Sequence, residues 1–406
     1  MIHCIPHRHR IPSAIASCAL LLTANIESCQ ALLTPSTAAH HRKLHTTQNQ
    51  RRLTAMLHAQ SQNLVSVPQA IQAFTSNSSQ QDAATSRNVF IDGSWYMPAD
   101  SRNARSQFQA GPRIPAARFF DIDDIAPSPR SSANPKGLPH MKPCPKQFAV
   151  AMDLMDITPH DVLYVYANNE KCPFSHRAYW TLRSAGHDPA KVKLIQGSLA
   201  EWEACGGELD NARLSDEDER LFRMPLDWEE RATRYICLRE GEERVVDMDQ
   251  VRDIVTSPKE TAEAIVVDAR SAGRFYGREP EPRPGLRGGH MPGSLNVPFL
   301  SLLDEKDLTK FRPMEQVRQI FVEAGIPPHE GNGPAAKVIC SCGSGVTAAA
   351  LAVALEECGL RKREDIYIYD GSWIEWGGDD QTPIVKDDRW NFMYFIENIL
   401  MDMFLS

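Results

Sequence analysis

The stretch KVICSCGSGVTAAALAVALEECG, residues 337–359, decides the fold of this chain. It starts as an apolar run, turns through a glycine-rich segment after Cys342, and continues as an alanine-rich run typical of a helix. The pattern therefore predicts a strand, a tight turn and a helix. Because apolar strands that alternate with helices form parallel sheets covered on both faces, it also indicates the α/β class.

The same alternation is found in both halves of the chain. Strand-like runs are AIVVDAR (264–270), DIYIYDG (365–371), DVLYVYA (161–167) and KVKLIQG (191–197). Helix-like runs are MEQVRQIFVEAGI (314–326) and HRAYWTLRSAGH (176–187). Each half is therefore predicted to be a mainly parallel sheet with helices on both faces.

Three landmarks recur in the same order in the two halves, which indicates a duplicated domain. They are Asp92 and Asp268, Pro115 and Pro292, and Trp202 and Trp376, and each pair is separated by 174 to 177 positions. Chance matches would not keep so constant a separation. We predict an N-terminal extension (1–80), a first domain (85–210), a linker (211–244), a second domain (245–385) and an amphipathic C-terminal extension (386–406).

Composition narrows the class of protein. Of the 406 residues 42 % are hydrophobic, which is enough for two cores without a disulfide framework. The ten cysteines form no CxxC pair and no His/Cys metal spacing, which predicts free thiols in a reducing compartment and no metal site. The net charge of −8 argues against nucleic acid as a direct partner. No run approaches the roughly 20 apolar residues of a membrane span.

The first 80 residues differ from the rest in charge. They contain six Lys/Arg residues and one acid, Glu27, among many Ser, Thr and Ala residues. This composition is typical of a transit peptide and predicts mitochondrial import. A secretory or plastid route and an untargeted disordered tail remain alternatives, and an internal start at Met56 would give a cytosolic form.

The turn at Cys342 can serve as an anion cradle. Backbone N–H groups at a helix N-terminus are unpaired and favour a thiolate, and Gly343 and Gly345 let several of them face one sulfur. A phosphatase loop would need an arginine six positions on, where Ala348 stands, and the loop is not of the GxxxxGK phosphate-binding type. A cysteine that only packs in a core, as expected for Cys340 and Cys358, remains the alternative.

Four motifs together resemble the 3-mercaptopyruvate sulfurtransferase branch of the rhodanese family. They are DAR (268–270), GRFYGREPEPRPGLRGGHMPGS (273–294), CGSGVTA (342–348) and DGSWIEW (370–376). The resemblance covers about residues 88–385 and implies two tandem rhodanese-like domains. Only the second would carry the sulfur-accepting cysteine. The first-half loop around Cys172 lacks the glycines, so the first domain is expected to be inactive.

The resemblance implies roles for further residues. Arg274 and Arg283 match positions that hold the carboxylate and keto oxygen of the substrate. In the first half, Asp123 and His140 match residues that form a relay to Ser344, although SPRSSANPKG lengthens the segment between them. The loop residues expected to contact substrate are Gly343, Gly345, Val346 and Thr347.

The predicted activity is sulfur transfer by ping-pong chemistry, without cofactor. Cys342 would take sulfur from 3-mercaptopyruvate and pass it to cyanide, thioredoxin or a small thiol. Relatives specific for thiosulfate carry basic residues in the cysteine loop, whereas this loop is neutral, which favours a donor whose charge lies farther away. A thiosulfate:cyanide sulfurtransferase is the alternative enzyme, and a non-enzymatic sulfur-relay or partner-binding scaffold is the alternative class.

Overall fold

The computed structural model describes residues 63–77, 86–129, 131–215, 218, 223–237, 244–256, 264–328 and 336–386. The predicted targeting segment before residue 63 and the predicted C-terminal extension from residue 387 lie outside these ranges. Within them, no helix is long and apolar enough to cross a membrane. The described part also contains no cluster of three or more residues suited to a metal ion.

The first domain is built on a five-stranded parallel sheet with strand order β1-β5-β4-β2-β3. Its strands are β1 (Leu64–Ser66), β2 (Asn88–Asp92), β3 (Arg118–Phe119), β4 (Val162–Ala167) and β5 (Val192–Ser198). Its helices are α1 (Val67–Asn77), α2 (Ala104–Ala110), α3 (Ile122–Ile125), α4 (Pro145–Leu154), α5 (Ser175–Ala185) and α6 (Leu199–Ala204), with a 3-10 turn at Pro189–Lys191.

The second domain repeats this plan, with strand order β6-β10-β9-β7-β8. Its strands are β6 (Val245–Val246), β7 (Ala264–Asp268), β8 (Leu295–Asn296), β9 (Lys337–Ser341) and β10 (Ile366–Tyr369). Its helices are α7 (Met248–Thr256), α8 (Ala272–Phe275), α9 (Met314–Glu323), α10 (Ala348–Glu357) and α11 (Ser372–Trp376), with 3-10 turns at Phe299–Leu302 and Arg363–Asp365. The strand order taken in chain sequence is therefore the same in both sheets, and the predicted α/β duplication is confirmed.

The domain boundary predicted at residue 85 needs a correction. Strand β1 pairs with β5 through Leu64 and Leu194, and α1 packs on the first sheet through the buried Val67 and Ala70. Residues 64–77 therefore belong to the first domain and not to the N-terminal extension. A three-residue edge strand is too short to show an alternating pattern, so its sequence could not be separated from the polar stretch before it.

The two central helices α5 and α10 explain why the domains share one core. Almost every residue of both helices is buried, which is the pattern of a helix surrounded by protein on all sides. One continuous apolar cluster includes Leu163 and Tyr179 of the first domain with Leu351 and Leu355 of the second. Because α10 follows the cysteine loop directly, this shared core places the loop against the first domain.

Candidate active site

The loop after β9 forms a cradle around the sulfur of Cys342. The backbone N–H groups of Ser344 and Gly345 point at Cys342 Sγ, with nitrogen–sulfur distances of 3.4 Å and 3.1 Å. Gly345 has φ +83°, a conformation that favours glycine because a Cβ would be strained there. The cradle predicted from the loop sequence is therefore present, and its donors are suited to a negatively charged sulfur.

The DGSW turn after β10 holds the same cysteine from the other side. Cys342 N–H donates to Ser372 Oγ at 3.2 Å, and Trp373 N–H donates to the Cys342 carbonyl at 3.0 Å. Ser372 itself has φ +50° and donates its hydroxyl to the Tyr369 carbonyl. Both backbone groups of Cys342 are thus satisfied, and the sulfur is held in one orientation.

His140 of the first domain reaches Ser344 in the cradle. His140 Nδ1 lies 3.1 Å from Ser344 Oγ, and His140 Nε2 lies 2.8 Å from Asp123 Oδ1. The carboxylate fixes the proton on Nε2, which leaves Nδ1 as an acceptor for the serine hydroxyl. The structure therefore brings together Asp123, His140 and Ser344 in the order that the resemblance implied.

The carboxylate of Asp123 is kept ionised by its neighbours. Burial raises the pKa of Asp123, but hydrogen bonds from His140 and from Trp95 Nε1, at 2.9 Å, together with the charge of Arg283, outweigh burial and hold the pKa below its usual value. An ionised Asp123 can orient and stabilise the His140 imidazole over the neutral pH range.

The lengthened segment between Asp123 and His140 folds back on itself. Asn134 is buried, and its amide group donates to the carbonyls of Pro127 and Leu138 while accepting from Leu138 N–H. Lys136 Nζ reaches Glu375 Oε1 of the second domain at 2.6 Å. The insertion therefore closes as a loop beside the site and does not displace His140.

Two arginines lie near the cradle, and a buried glutamate orients one of them. Arg274 Nη2 contacts Glu281 Oε2 at 2.5 Å, and Arg270 Nη1 contacts Glu281 Oε1 at 2.7 Å. Arg274 Nη2 also lies 3.1 Å from where a Cβ on Gly343 would stand. For Arg283, the described part of the chain offers no hydrogen-bond or ion-pair partner, so its guanidinium is available to a ligand.

A cavity of about 240 Å³ opens at the sulfur of Cys342. Its polar side is formed by the cradle and by Arg274 and Arg283, and its apolar side by residues of both domains. The lining includes three of the four predicted loop contacts, namely Gly343, Val346 and Thr347, together with Ser344, whereas Gly345 lies behind the sulfur. Cationic side chains beside an anion cradle can hold a small carboxylate while its far end meets the cysteine.

Comparison with known proteins identifies the family. The family model for the rhodanese-like domain matches residues 249–379. A mitochondrial thiosulfate/3-mercaptopyruvate sulfurtransferase of Arabidopsis thaliana is 32 % identical over 309 residues, which cover 72 % of this chain and 73 % of the relative. The 3-mercaptopyruvate sulfurtransferase of Escherichia coli K12 is 34 % identical over 294 residues, 70 % of this chain and 87 % of the relative. This chain belongs to the rhodanese family of sulfurtransferases.

A solved structure of the same family shows the two-domain arrangement as well. The Tum1 protein of Saccharomyces cerevisiae matches with a TM-score of 0.61 and 30 % sequence identity, over 80 % of this chain and 98 % of that chain. The similarity covers both rhodanese domains, and the family assignment made from the four motifs is confirmed.

The first rhodanese domain has a cysteine in the matching loop, but its environment differs. Cys172 is fully buried, and its thiol donates to the Trp95 carbonyl. Burial raises the pKa of Cys172 to about 11, so the thiol stays protonated at neutral pH. Asp92 lacks the arginine that pairs with Asp268 in the second domain, because Ser94 stands at the position of Arg270.

Two further departures in the first rhodanese domain are explained by the structure. Arg113, which stands at the position of His290 in the second domain, pairs with Asp210 at 2.6 Å and donates to the Phe108 carbonyl. Ala116 has φ +58° where the second domain has Gly293 at φ +72°, so the turn is kept at the cost of backbone strain.

Sequence reasoning missed three residues that support the site. Glu281 orients Arg274, Ser372 holds the Cys342 backbone, and Trp95 donates to Asp123. Glu281 lies inside the arginine motif, and Ser372 and Trp95 both lie in DGSW motifs. The two DGSW segments follow β2 and β10, which are not equivalent strands of the two domains, so their recurrence gives no signal for the roles of these residues.

Proposed function

We propose that this rhodanese-family protein is a 3-mercaptopyruvate sulfurtransferase that forms a persulfide on Cys342 and passes the sulfur to a thiol or to cyanide. One observation carries the proposal. Cys342 Sγ receives two backbone N–H groups and faces a cavity whose polar side includes Arg274 and Arg283. The name of the Escherichia coli relative supports the choice of donor, and the name of the Arabidopsis relative includes both 3-mercaptopyruvate and thiosulfate.

Donor binding would use the two arginines as anchors. The carboxylate and keto oxygen of 3-mercaptopyruvate accept charge-assisted hydrogen bonds from Arg274 and Arg283, which point the thiol end at Cys342. Arg274 is restrained by Glu281, so little conformational entropy is lost when it binds. Because the arginines bind the charged end of the donor, the cysteine loop needs no cation, and its N–H groups bind the sulfur.

In the first half-reaction the Cys342 thiolate attacks the donor sulfur. The new S–S bond forms as the donor C–S bond breaks, and the electron pair of that bond becomes the enolate of pyruvate. The sulfhydryl proton of the Cys342 persulfide is removed by Ser344 with His140 as base and is delivered to the enolate carbon, which gives pyruvate and an ionised persulfide. Asp123 stabilises the His140 imidazolium while it holds the proton.

In the second half-reaction an acceptor takes the outer sulfur. The ionised persulfide first takes up a proton from solvent; a thiolate or cyanide then attacks the outer sulfur, the S–S bond breaks, and Cys342 leaves with the bonding electrons. The backbone N–H groups of Ser344 and Gly345 stabilise the cysteine sulfur as it regains negative charge. The products are a small persulfide or thiocyanate and the free enzyme.

The remaining segments have proposed roles as well. The first rhodanese domain supplies His140 and Asp123 and performs no catalysis of its own, since Cys172 is buried and protonated. Residues 386–406 form an extension.

The acid-poor N-terminal segment directs the chain to mitochondria, in line with the mitochondrial Arabidopsis relative, and a start at Met56 gives a cytosolic form. The acceptor in the cell is a small thiol or a protein thiol such as thioredoxin.

Mass spectrometry of the protein after donor treatment tests the proposal. With 3-mercaptopyruvate, Cys342 should gain one sulfur, pyruvate should be released, and Cys342→Ser should abolish both. The matched control is Cys205→Ser, which removes an exposed thiol outside the site and should leave both unchanged. Absence of sulfur on Cys342 would favour a scaffold, and a higher kcat/KM with thiosulfate would favour the alternative donor.

A further inference from the structure

Arg177 connects the first domain to the back of the cysteine cradle. It lies in α5 and is 1 % exposed. Its Nη1 donates to the Gly345 carbonyl at 3.1 Å, and its Nη2 donates to the His140 carbonyl. A single guanidinium thus binds the backbone of one cradle residue and the backbone of the relay histidine.

Both of those backbone positions need to be held. Gly345 and His140 have φ +83° and φ +60°, and a positive φ is strained for histidine, so surrounding contacts must stabilise it. The N–H of Gly345 lies 3.1 Å from Cys342 Sγ, and the Nδ1 of His140 lies 3.1 Å from Ser344 Oγ. A rotation of the backbone at Gly345 would therefore change its N–H contact with Cys342 Sγ. A rotation at His140 would change the distance between its Nδ1 and Ser344 Oγ.

Asp370 completes the connection. Its Oδ1 lies 2.8 Å from Arg177 Nη1, both side chains are about 1 % exposed, and its Oδ2 accepts the Lys142 N–H. Lys142 is two residues after His140, and Asp370 begins the DGSW turn that holds Cys342. The ion pair therefore joins the relay segment, the cradle and the DGSW turn at one buried point.

The atoms of Asp370 and Arg177 are packed closely against Gly345. A Cβ on Gly345 would lie 3.0 Å from Asp370 Oδ1 and 3.2 Å from Arg177 Nη1. A lysine at position 177 would keep the positive charge, but its single ammonium cannot reproduce the two separated donors of the guanidinium fork. The geometry therefore requires arginine rather than any cation.

We propose that Arg177 is a positioning residue that fixes the cradle N–H of Gly345 on Cys342 and sets the distance between His140 and Ser344. Its effect on turnover rests on the proposed function, whereas its effect on the reactivity of Cys342 does not. Its side chain does not line the cavity, so a substitution at position 177 should leave donor binding nearly unchanged.

The test follows the rate at which iodoacetamide alkylates Cys342, measured by mass spectrometry over a range of pH. Charged or titratable groups around the sulfur are Arg270, Arg274 and Arg283 at the cavity, His140 and Asp123 through Ser344, Arg177 and Asp370 behind Gly345, and Cys340 on β9. Only Arg177 and Asp370 are altered in the experiment, so a change in the pH profile reports on their contacts.

Two variants separate positioning from folding. Arg177→Lys keeps a cation for Asp370, and the double variant Arg177→Met with Asp370→Asn leaves no unpaired buried charge. In both, the pH midpoint of alkylation should rise and the rate at neutral pH should fall on the order of tenfold, as expected when a hydrogen bond to an ionised group is lost. With 3-mercaptopyruvate, kcat should fall by at least as much while KM stays within about twofold.

Arg183→Met is the matched control. Arg183 lies on the same helix and makes a bidentate ion pair with Glu356 of the second domain, at 2.7 Å and 2.8 Å, away from the loop. This variant should lower thermal stability and leave the alkylation profile and kcat unchanged. Wild-type alkylation profiles in both Arg177 variants would overturn the proposal.

Failure of the proposed function gives a different result. If the wild-type protein forms no Cys342 persulfide from 3-mercaptopyruvate, the donor assignment fails while the alkylation comparison still decides the role of Arg177. If the persulfide forms and the Arg177 variants alkylate as the wild type does, only the positioning role fails.

Discussion

His140 Nδ1 and Ser344 Oγ lie 3.1 Å apart, although the two residues are 204 positions apart in the chain. One belongs to the first rhodanese domain and the other to the cradle of the second. The buried contact between helices α5 and α10 fixes the position of one domain relative to the other. The proton-transfer group and the nucleophile of the proposed reaction therefore come from different domains.

The relay predicts a donor-dependent effect of substitution. His140→Gln and Ser344→Ala should each lower kcat with 3-mercaptopyruvate by about 10²- to 10⁴-fold, the range for a lost proton-transfer group. The loss with thiosulfate should be smaller, because that donor has no thiol proton to move. Initial rates with both donors measure the ratio. Equal losses with both donors would show that His140 acts on loop geometry alone.

Arg283 should determine the affinity for a carboxylate donor. Arg283→Gln removes a cation that lines the cavity, and the loss of a charge-assisted contact of about 1.5–3 kcal/mol corresponds to a fall in kcat/KM of about 10- to 100-fold. Arg278→Gln is the matched control, since Arg278 lies on the same loop but is exposed and does not line the cavity. A similar effect of both substitutions on KM would contradict the assignment.

Gly345 should tolerate no side chain. Gly345→Ala introduces strain of about 1–2 kcal/mol at positive φ and also places a Cβ against Asp370. Gly285 has φ +80° with nothing within 4 Å of the position that a Cβ would take, so Gly285→Ala carries the strain without the crowding. We expect similar small changes in stability from strain, but a large loss of Cys342 persulfide formation only in Gly345→Ala. Retained persulfide formation in that variant would count against the cradle.

A buried acid at the interface between the domains should make stability depend on pH. Glu357 ends α10 and is 2 % exposed. Burial, aided by the charge of Glu356, raises the pKa of Glu357 from 4.5 to about 8, although Arg183 and Lys193 lower it. The folded state therefore binds the proton more tightly than the unfolded chain. The resulting stability is fully present below pH 4.5 and is lost as the pH rises through about 8.

Glu357→Gln removes this dependence. Between about pH 5.5 and about pH 8.5 the melting temperature of the wild-type protein should fall relative to that of Glu357→Gln, by several degrees. Asp92, whose pKa burial raises to about 6, contributes a slope of the same sign to both proteins and cancels in the comparison. Parallel melting curves across this pH range would contradict a raised pKa for Glu357.

The sequence predicted the parts of the site that depend on residues close together in the chain. The strand, turn and helix around Cys342 follow from periodicity and glycine placement over residues 337–359, and the structure has them there. The contacts of Arg177 with Gly345 and Asp370 depend on how two domains pack, and no local pattern encodes them. The structure has His140 beside Ser344 and Arg274 at the cavity, whereas Glu281 and Trp95 were recognisable only once their neighbours in space were known.

The division of the relay between the two domains limits how the gene can be rearranged. A fragment encoding only the second half would keep Cys342 and the three cavity arginines, but would lose the histidine that serves Ser344 and the arginine that binds Gly345. A fusion of that half to an unrelated rhodanese domain would need an arginine, a histidine and a carboxylate at matching places before turnover returned. An active protein is therefore expected only when the two halves are exchanged together.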